Sequence, residues 1–218
     1  MKKIAVLLSG SGVFDGSEIH EAVLTLLSLA HAGAKYQCFA PDIEQLHVVN
    51  HLTGEVAAGE QRNVLVEAAR IARGEIKATT ELEIEQFDGL VIPGGFGAAK
   101  NLCNFAITGS ECNIAPTVSE FIQAFVDEQK PVGFICIAPV MIPRLYHAGA
   151  KGTIGNDSET AHAFNLMGGE HQEANVEDIV VDETNRLVST PAYMLAENIT
   201  QAHIGIEKLV KKVLALAD

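Results

Sequence analysis

The sequence predicts an α/β protein, a three-layer αβα sandwich built on a mainly parallel sheet. Two observations support this prediction. Short runs of β-branched or aliphatic residues recur along the chain with the length of buried strands, at 4–8, 36–39, 90–92, 132–135, 179–181 and 187–189. Segments with apolar residues at helical spacing lie between these runs. Strands that alternate with helices form a sheet covered by helices on both faces.

Three of the intervening segments have the pattern of amphipathic helices. The first covers residues 17–31, with Ser17 as the predicted N-cap and Gly33 as the predicted stop. The second covers 117–128 and the third covers 199–216. In the first helix the predicted apolar stripe consists of Ile19, Ala22, Val23, Leu26, Leu27 and Ala30.

Two regions interrupt the alternation of strands and helices. Residues 47–55 hold strand-like residues among polar ones, and we predict a small hairpin or cap over the sheet edge there, as part of an insertion near 44–60. Residues 178–190 contain two apolar runs separated by a polar turn, which predicts a second hairpin. The absence of any linker or repeat predicts a single domain over residues 1–218.

Composition excludes several classes of function. The chain has 218 residues, 48% of them hydrophobic, which suffices for one sizeable core. A formal net charge of −13 opposes nucleic-acid binding, because that requires clustered Lys and Arg. No apolar stretch reaches the ~20 residues that a membrane-spanning helix requires. We therefore expect neither a nucleic-acid nor a membrane partner.

The first apolar run could be mistaken for a signal peptide. Ser9, Gly10, Ser11 and Gly12 interrupt it before it reaches a usable length, so we interpret it as a buried first strand. This interpretation predicts a cytoplasmic protein. We expect the four cysteines to be reduced, and neither Cys nor His residues have the spacing of a zinc site, so we predict no metal and no cofactor.

Cys136 is the candidate nucleophile. It ends the run 132–135 and precedes a small-residue turn that opens the next helical segment. Ligands bind at the carboxyl ends of strands in open parallel sheets, and the positive end of a helix favours a thiolate. The N–H of Ile137 is a candidate oxyanion donor. Cys38 is interpreted as a buried apolar residue, and Cys103 and Cys112 as incidental because no base lies near them in sequence.

Two further loops are expected to meet Cys136 at the same edge of the sheet. The first, 9–18, follows the first strand and delivers Glu18 at the start of a helix, where a carboxylate could also serve only to complement the helix dipole. The second begins with Pro93, Gly94 and Gly95. Its glycines allow close approach of a ligand to the backbone, although a tight strand-to-helix turn would also use them.

These three loops together resemble the ThiJ/PfpI superfamily, whose fold is similar to that of class I glutamine amidotransferases and to flavodoxin. The resemblance is carried by Glu18, by 93–95 and by 133–139. A closer similarity, to the ElbB proteins of this superfamily, rests on 8–20, 50–55, 93–102 and 190–194 and extends essentially from end to end. ElbB proteins are linked by name to isoprenoid biosynthesis.

The resemblance implies a glyoxalase III-like hydro-lyase or a related deglycase that needs no glutathione. Carried over to this sequence, Cys136 attacks an aldehyde carbon of glyoxal or methylglyoxal, and Gly94, Gly95 and Ile137 supply backbone donors. Glu18 then hydrogen-bonds the cysteine and shuttles the proton. The expected substrate is a small aldehyde or dicarbonyl. Relatives often dimerise, which implies a homodimer.

The sequence departs from the superfamily pattern at the histidine. Ile137 follows the cysteine where some relatives have His, and 153–157 occupies the later position, so we expect slow turnover and doubt glutamine hydrolysis. A non-enzymatic redox sensor or binding module built on Cys136 is the alternative hypothesis. Possible accessory residues are Asn50, His51, Asn156 and Asp157.

Overall fold

The computed structural model describes residues 1–217. The strands in this range are β1 Lys3–Leu7, β2 Lys35–Ala40, β3 Val49–Asn50, β4 Glu55–Val56, β5 Ile76–Ala78, β6 Gly89–Ile92, β7 Val132–Ile135, β8 Lys151–Gly152, β9 Glu170–His171, β10 Val180–Asp182 and β11 Leu187–Thr190. The α-helices are α1 Ile19–His31, α2 Val64–Ile71, α3 Phe105–Thr108, α4 Pro116–Asp127, α5 Ile142–Leu145, α6 Ser158–Leu166 and α7 Ile199–Leu216. A π-helix covers Ala98–Leu102, and a 3₁₀ turn covers Ala138–Met141.

The central sheet has seven strands in the order β10-β11-β7-β6-β1-β2-β5. All neighbouring pairs are parallel except β10 and β11, which form the predicted antiparallel hairpin. Each of the six apolar runs forms a strand of this sheet. The mainly parallel α/β fold predicted from the sequence is confirmed.

Helices cover both faces of the sheet. Alternate residues of β1 point to opposite sides, so that Ala5 and Leu7 join one apolar cluster and Ile4 and Val6 join the other. The first cluster includes residues of α4, α5 and α6, and the second includes residues of α1, α2 and α7. The protein thus has three layers.

Helix α1 buries a different face from the one that its apolar residues predict. Ile19, Val23 and Leu27 are exposed, at 44%, 48% and 40%. The buried residues are Glu21, Ala22, Leu24, Thr25, Ser28 and Leu29. Ala30 is exposed as well, so the predicted stripe is wrong for four of its six members. The physical reason is Glu21: placing its carboxyl group in the interior fixes the rotation of the helix about its axis, and the small residues on its side of the helix pack inward with it.

Loops that follow four parallel strands meet at the carboxyl edge of the sheet. They begin after β1, β6, β7 and β11, and the hairpin of β3 and β4 packs against the first of them. The Val49 N–H donates to Asp15 Oδ2 at 2.7 Å, and the Leu46 N–H donates to Asn101 Oδ1 at 3.0 Å. Among residues 1–217, no helix is both long and apolar enough to cross a bilayer.

Candidate active site

Cys136 lies directly after β7 in a strained backbone conformation. Its φ is +63°, a region that residues with a side chain seldom adopt. Its N–H donates to Thr190 O at 2.9 Å, which ties it to the neighbouring strand β11. Only 7% of the residue is exposed. Strain of this kind is often retained at functional sites, where it aims a side chain that an ordinary turn would direct elsewhere.

The carboxyl group hydrogen-bonded to the Cys136 thiol belongs to Glu21. Glu21 is 0% exposed. Its Oε2 accepts the Gly94 N–H at 3.0 Å, and its Oε1 accepts the Tyr193 N–H at 3.1 Å. Residues from α1 and from the loops after β6 and β11 therefore hold one carboxyl group against the sulfur.

Burial raises the pKa of Glu21 from 4.5 to about 8. Water no longer solvates the carboxylate, and the nearby charge of Glu18 adds to the effect, whereas the hydrogen bonds from Tyr193, Cys136 and Gly94 act in the opposite direction. At neutral pH the Glu21 carboxyl group is mostly protonated. Such a group can donate a proton or accept one within the pH range in which enzymes work.

The pKa of the Cys136 thiol is also raised, well above its ordinary value. Burial is the main cause, and the Glu21 charge adds to it. This contradicts the thiolate expected from a helix N-terminus. The segment after Cys136 is a 3₁₀ turn and then the four-residue α5, too short to supply the dipole of a long helix. The N–H groups of Gly95 and Ile137 hydrogen-bond the sulfur and partly offset the effect.

Glu18 does not hold the position predicted for it against the thiol. Its side-chain oxygen accepts the Glu21 N–H at 2.7 Å, so Glu18 is the N-cap of α1, a place the sequence assigned to Ser17. Ser17 instead accepts the Ser9 N–H at 2.8 Å through its hydroxyl group. Glu18 thus orients the first turn of the helix that carries Glu21 and acts on that carboxyl group through its charge.

The three predicted backbone donors have different partners. Gly95 and Ile137 direct their N–H groups at the Cys136 sulfur, where an oxyanion on a bound carbonyl would form beside them. Gly94 donates to Glu21 instead, and is therefore not available for an oxyanion. A Cβ on Gly94 would lie 2.4 Å from Cys136 Cβ and 2.7 Å from Glu21 Oε2. Only glycine allows the thiol and the carboxyl group to meet at this point.

Asn50 and His51, from the hairpin, serve local structure. The His51 Nε2 accepts the Phe14 N–H at 3.2 Å, and its Nδ1 lies 3.0 Å from Val49 O. With Nε2 accepting from Phe14, Nδ1 is the ring nitrogen that can donate to Val49 O. The Asn50 side chain accepts the Leu52 N–H at 3.0 Å. Within residues 1–217 no hydrogen bond links either residue to Cys136, so the geometry does not support the accessory role predicted for them.

The other predicted accessory residues lie at the start of α6. Asp157 is its N-cap and accepts the Thr160 N–H at 2.8 Å. Hydrogen bonds from the Thr160 hydroxyl group and from this N–H lower the pKa of the Asp157 carboxyl group. Asn156 is exposed beside it. Asp157 is explained by the helix start, and among the described residues neither side chain has a hydrogen bond to Cys136.

Sequence reasoning missed Glu21, Tyr193 and His20. The Tyr193 hydroxyl oxygen lies 3.0 Å from His20 Nδ1, and the Tyr193 N–H donates to Glu21, so the backbone of Tyr193 links the exposed His20 to the buried carboxyl group. A signal for Glu21 was present in the sequence. It shares the helical face of Ala22, Thr25 and Ser28, and a lone carboxylate on a face of small residues that can pack closely is a candidate for a buried functional group.

Two mammalian proteins are similar to this chain over nearly its whole length. Human glutamine amidotransferase-like class 1 domain-containing protein 3 and the rat ES1 protein homolog are each 42% identical to this chain over 98% of its length, and the chain covers 83% and 84% of theirs. The chain belongs to the ES1 family of glutamine amidotransferase-like proteins. No family model matches the sequence.

Solved structures support the fold of this ES1 family member. A crystal structure described as an isoprenoid biosynthesis protein with an amidotransferase-like domain, from Ehrlichia chaffeensis, superposes with a TM-score of 0.94 at 38% identity and 100% coverage of both chains. DJ-1β from Drosophila melanogaster has the same type of fold, with a TM-score of 0.54 at 16% identity over 99% of this chain. The resemblance inferred from the sequence is confirmed.

The comparison also corrects the predicted location. The ES1 family members from human, rat and zebrafish carry the word mitochondrial in their names, which contradicts the cytoplasmic prediction. That prediction rested on the first apolar run being a strand. The run is indeed β1, but a buried strand holds no information about the compartment in which a protein works.

Proposed function

We propose that this ES1 family member is a cysteine-dependent glyoxalase that converts glyoxal to glycolate, and methylglyoxal to lactate, without glutathione. The observation that supports the proposal is the buried pair of Cys136 and Glu21, with the N–H groups of Gly95 and Ile137 directed at the sulfur. A thiol, a carboxyl group with a pKa of about 8 and two backbone donors are the groups that aldehyde addition and rearrangement require.

The proposed reaction begins when the Cys136 sulfur attacks one aldehyde carbon of glyoxal. The thiol proton passes through Glu21 to the carbonyl oxygen, which gives a hemithioacetal, while the Gly95 and Ile137 N–H groups stabilise the negative charge as it develops. Glu21 then removes the hydrogen from the attacked carbon and returns it to the neighbouring carbon, while the hydroxyl proton of the hemithioacetal passes to the neighbouring oxygen; this gives a C=O group on the attacked carbon and a hydroxyl group on its neighbour. The product is a thioester of glycolate, and water hydrolyses it to release glycolate and the thiol.

Glu18 enters this mechanism as a positioning residue. It caps α1 through the Glu21 N–H, and its charge helps to raise the pKa of the Glu21 carboxyl group. The family name refers to glutamine amidotransferases, but glutamine hydrolysis is not proposed. Such hydrolysis depends on a base that forms a thiolate, and within residues 1–217 no histidine hydrogen-bonds Cys136, whose thiol is strongly disposed to remain protonated.

The test is the rate of glycolate and lactate formation by the purified protein and its Cys136→Ser variant. We expect the variant to lose all turnover and to keep the circular dichroism spectrum and melting temperature of the wild type. Cys38→Ser is the matched control, because Cys38 is also a buried thiol but lies in β2 away from the site, and it should retain activity. Turnover that survives in Cys136→Ser would refute the proposal.

A further inference from the structure

A cavity of about 550 Å³ lies at the edge of the sheet opposite to Cys136. Its wall includes Gln129, which precedes β7, and Arg186, which precedes β11, whereas Cys136 follows β7. Because β7 and β11 are parallel, the cavity and Cys136 lie at opposite ends of these strands. Arg144 and His147 also line the cavity, and both are exposed, so it opens to solvent. The cavity is therefore separate from the proposed active site.

Two arginines that line this cavity have no carboxylate partner within residues 1–217. The Arg186 guanidinium group makes no hydrogen bond or ion pair in this range, and its Nε atom is buried. The Arg144 side chain donates to two main-chain carbonyl groups, those of Ser110 and Cys112. The chain has 28 Asp and Glu residues against 15 Lys and Arg residues, so carboxylates are plentiful, yet none pairs with these two arginines in the described range.

The acidic residues of the same wall do not balance this charge. Glu183 Oε1 lies 2.6 Å from Lys212 Nζ, so its charge is already paired. Asp127 Oδ1 accepts from Gln123 Nε2 at 2.9 Å. Two guanidinium charges therefore stand against the one remaining carboxylate. Guanidinium groups bind phosphate and carboxylate oxygens through their planar set of N–H donors, so this wall favours an oxyanion.

A second observation points to a ligand at this place. The hydroxyl group of Tyr146, which also lines the cavity, is buried and has no hydrogen-bond partner within residues 1–217. Tyr146 and Arg186 contribute two of the five buried side-chain polar atoms that lack a partner in this range. Buried polar groups are almost always hydrogen-bonded, because leaving one unpaired is costly. Both atoms can donate, and a bound acceptor reached by a side-chain rotation would supply the missing partner.

The turn that carries Arg186 is held in place by hydrogen bonds. Asp182 is buried, and its carboxylate accepts the Asn185 N–H at 3.1 Å and the Asn185 side-chain Nδ2 at 2.8 Å. Arg186 O accepts the Val132 N–H at 3.1 Å, which joins the turn to β7. The backbone of Arg186 is therefore ordered before a ligand binds, which reduces the entropy lost on binding.

We propose that this cavity binds a small organic dianion, a phosphate monoester or a dicarboxylate, through the guanidinium groups of Arg186 and Arg144 and the hydroxyl group of Tyr146. The cavity volume lies in the range of small-molecule sites, about 300–1,000 Å³. The proposal does not depend on the glyoxalase activity, since the three residues lie at the other edge of the sheet from Cys136.

The experiment is isothermal titration calorimetry of the full chain with inorganic phosphate and, separately, with malonate, at an ionic strength held constant with sodium chloride. We expect saturable binding, and the anion that binds more tightly identifies the class of ligand. Arg186→Gln should weaken this binding about tenfold or more, because a charged hydrogen bond is lost. Arg73→Gln is the matched control: Arg73 is exposed, has a similar φ of +55°, and lies outside this cavity, so the variant should bind as the wild type does.

Hydrogen exchange of the wild-type protein locates the site without relying on a variant. Saturating anion should slow exchange at 143–147 and 183–187 and leave 133–138 unchanged. Cys136→Ser should bind the anion as the wild type does, so the outcome is separate from that of the glyoxalase test. Equal binding by Arg186→Gln, protection at 133–138 in place of the cavity, or no saturable binding of either anion would overturn the inference.

Discussion

Glu21 is the residue on which the proposed chemistry depends, and its protonation sets the expected pH dependence. With a pKa of about 8 the carboxyl group is mostly neutral at pH 7 and becomes a base as the pH rises. We expect kcat/KM for glyoxal to rise with pH through about 8. Glu21→Gln should lower the rate by about 10²–10⁴-fold and remove the rise.

Glu18→Gln is the matched control for this experiment. Glu18 raises the pKa of Glu21 through its charge, so its removal should move the midpoint of the pH profile to lower pH and leave the shape unchanged. If Glu18→Gln lost the rise of kcat/KM with pH while Glu21→Gln kept it, the proton shuttle would be assigned to Glu18, as the sequence predicted.

Burial of Glu21 also predicts a pH-dependent stability. The pKa is 4.5 when Glu21 is solvated and about 8 in the fold, so the folded state binds the proton more tightly. The contribution to stability is fully present below pH 4.5 and is lost as the pH rises through 8. The free energy of unfolding, measured with urea at about pH 6 and about pH 9, should be lower at the higher pH. The expected decline is roughly 1.4 kcal/mol for each pH unit that lies between the two pKa values. The same decline in Glu21→Gln would contradict this account.

Gly94 tests whether the thiol and the carboxyl group must touch. In Gly94→Ala the new methyl group would overlap Cys136 Cβ, at 2.4 Å. We expect a loss of roughly 1–3 kcal/mol of unfolding free energy, because backbone and side chains must shift, and loss of activity with it. Gly54→Ala is the control: its φ is +77° and its Cβ would meet nothing within 4 Å, so it should keep full activity. An active Gly94→Ala enzyme would mean that close contact is not needed.

At the scale of elements, α1 shows where sequence reasoning succeeded and where it failed. Its existence and its stop near Gly33 were predicted from periodicity and end signals, which are local properties. The buried face of α1 was not predicted from the sequence. The interior position of Glu21 depends on Gly94, Tyr193 and Cys136, which are distant in sequence. The helix α2 and the edge strand β5 were also missed. Both are short, and every residue of β5 is only partly buried.

The hairpin of β3 and β4 depends on one buried carboxylate in the loop after β1. Asp15 is 3% exposed, and its Oδ2 accepts the Val49 N–H. Asp15→Ala should leave that N–H without a partner and cost roughly 1–3 kcal/mol locally. Hydrogen exchange at 47–56 should rise by about tenfold or more, with the strands of the central sheet unchanged. Equal protection in the variant would show that the hairpin is held by other contacts.

For the whole molecule, the order of strands and helices was predictable because each local pattern agreed with the global fold. The meeting of the loops at the sheet edge followed from the same pattern, since parallel strands end on one side. The sequence could not reveal which carboxylate contacts Cys136, because Glu18, the N-cap of α1, and Glu21, in its first turn, are close in sequence and point in different directions.

The predicted homodimer remains a prediction, and the surface of α1 offers a place to test it. Ile19, Val23 and Leu27 form an exposed apolar stripe along the helix. If a second copy covers this stripe, Val23→Glu should convert the dimer to a monomer in sedimentation analysis. Leu166→Glu, at a residue that is 63% exposed on α6, should leave the dimer intact. A monomeric wild type would remove the prediction.

The sealed position of Glu21 has a consequence for the fate of the substrate's own hydrogen. Because Glu21 is 0% exposed, its carboxyl hydrogen should exchange with bulk water more slowly than that of a solvated carboxyl group. In the proposed reaction, a hydrogen that Glu21 removes from one carbon of a bound aldehyde would therefore be returned to the adjacent carbon of the same molecule. The protein would transfer this hydrogen within a single substrate molecule. An isotopic label on the transferred hydrogen would therefore be found in the product.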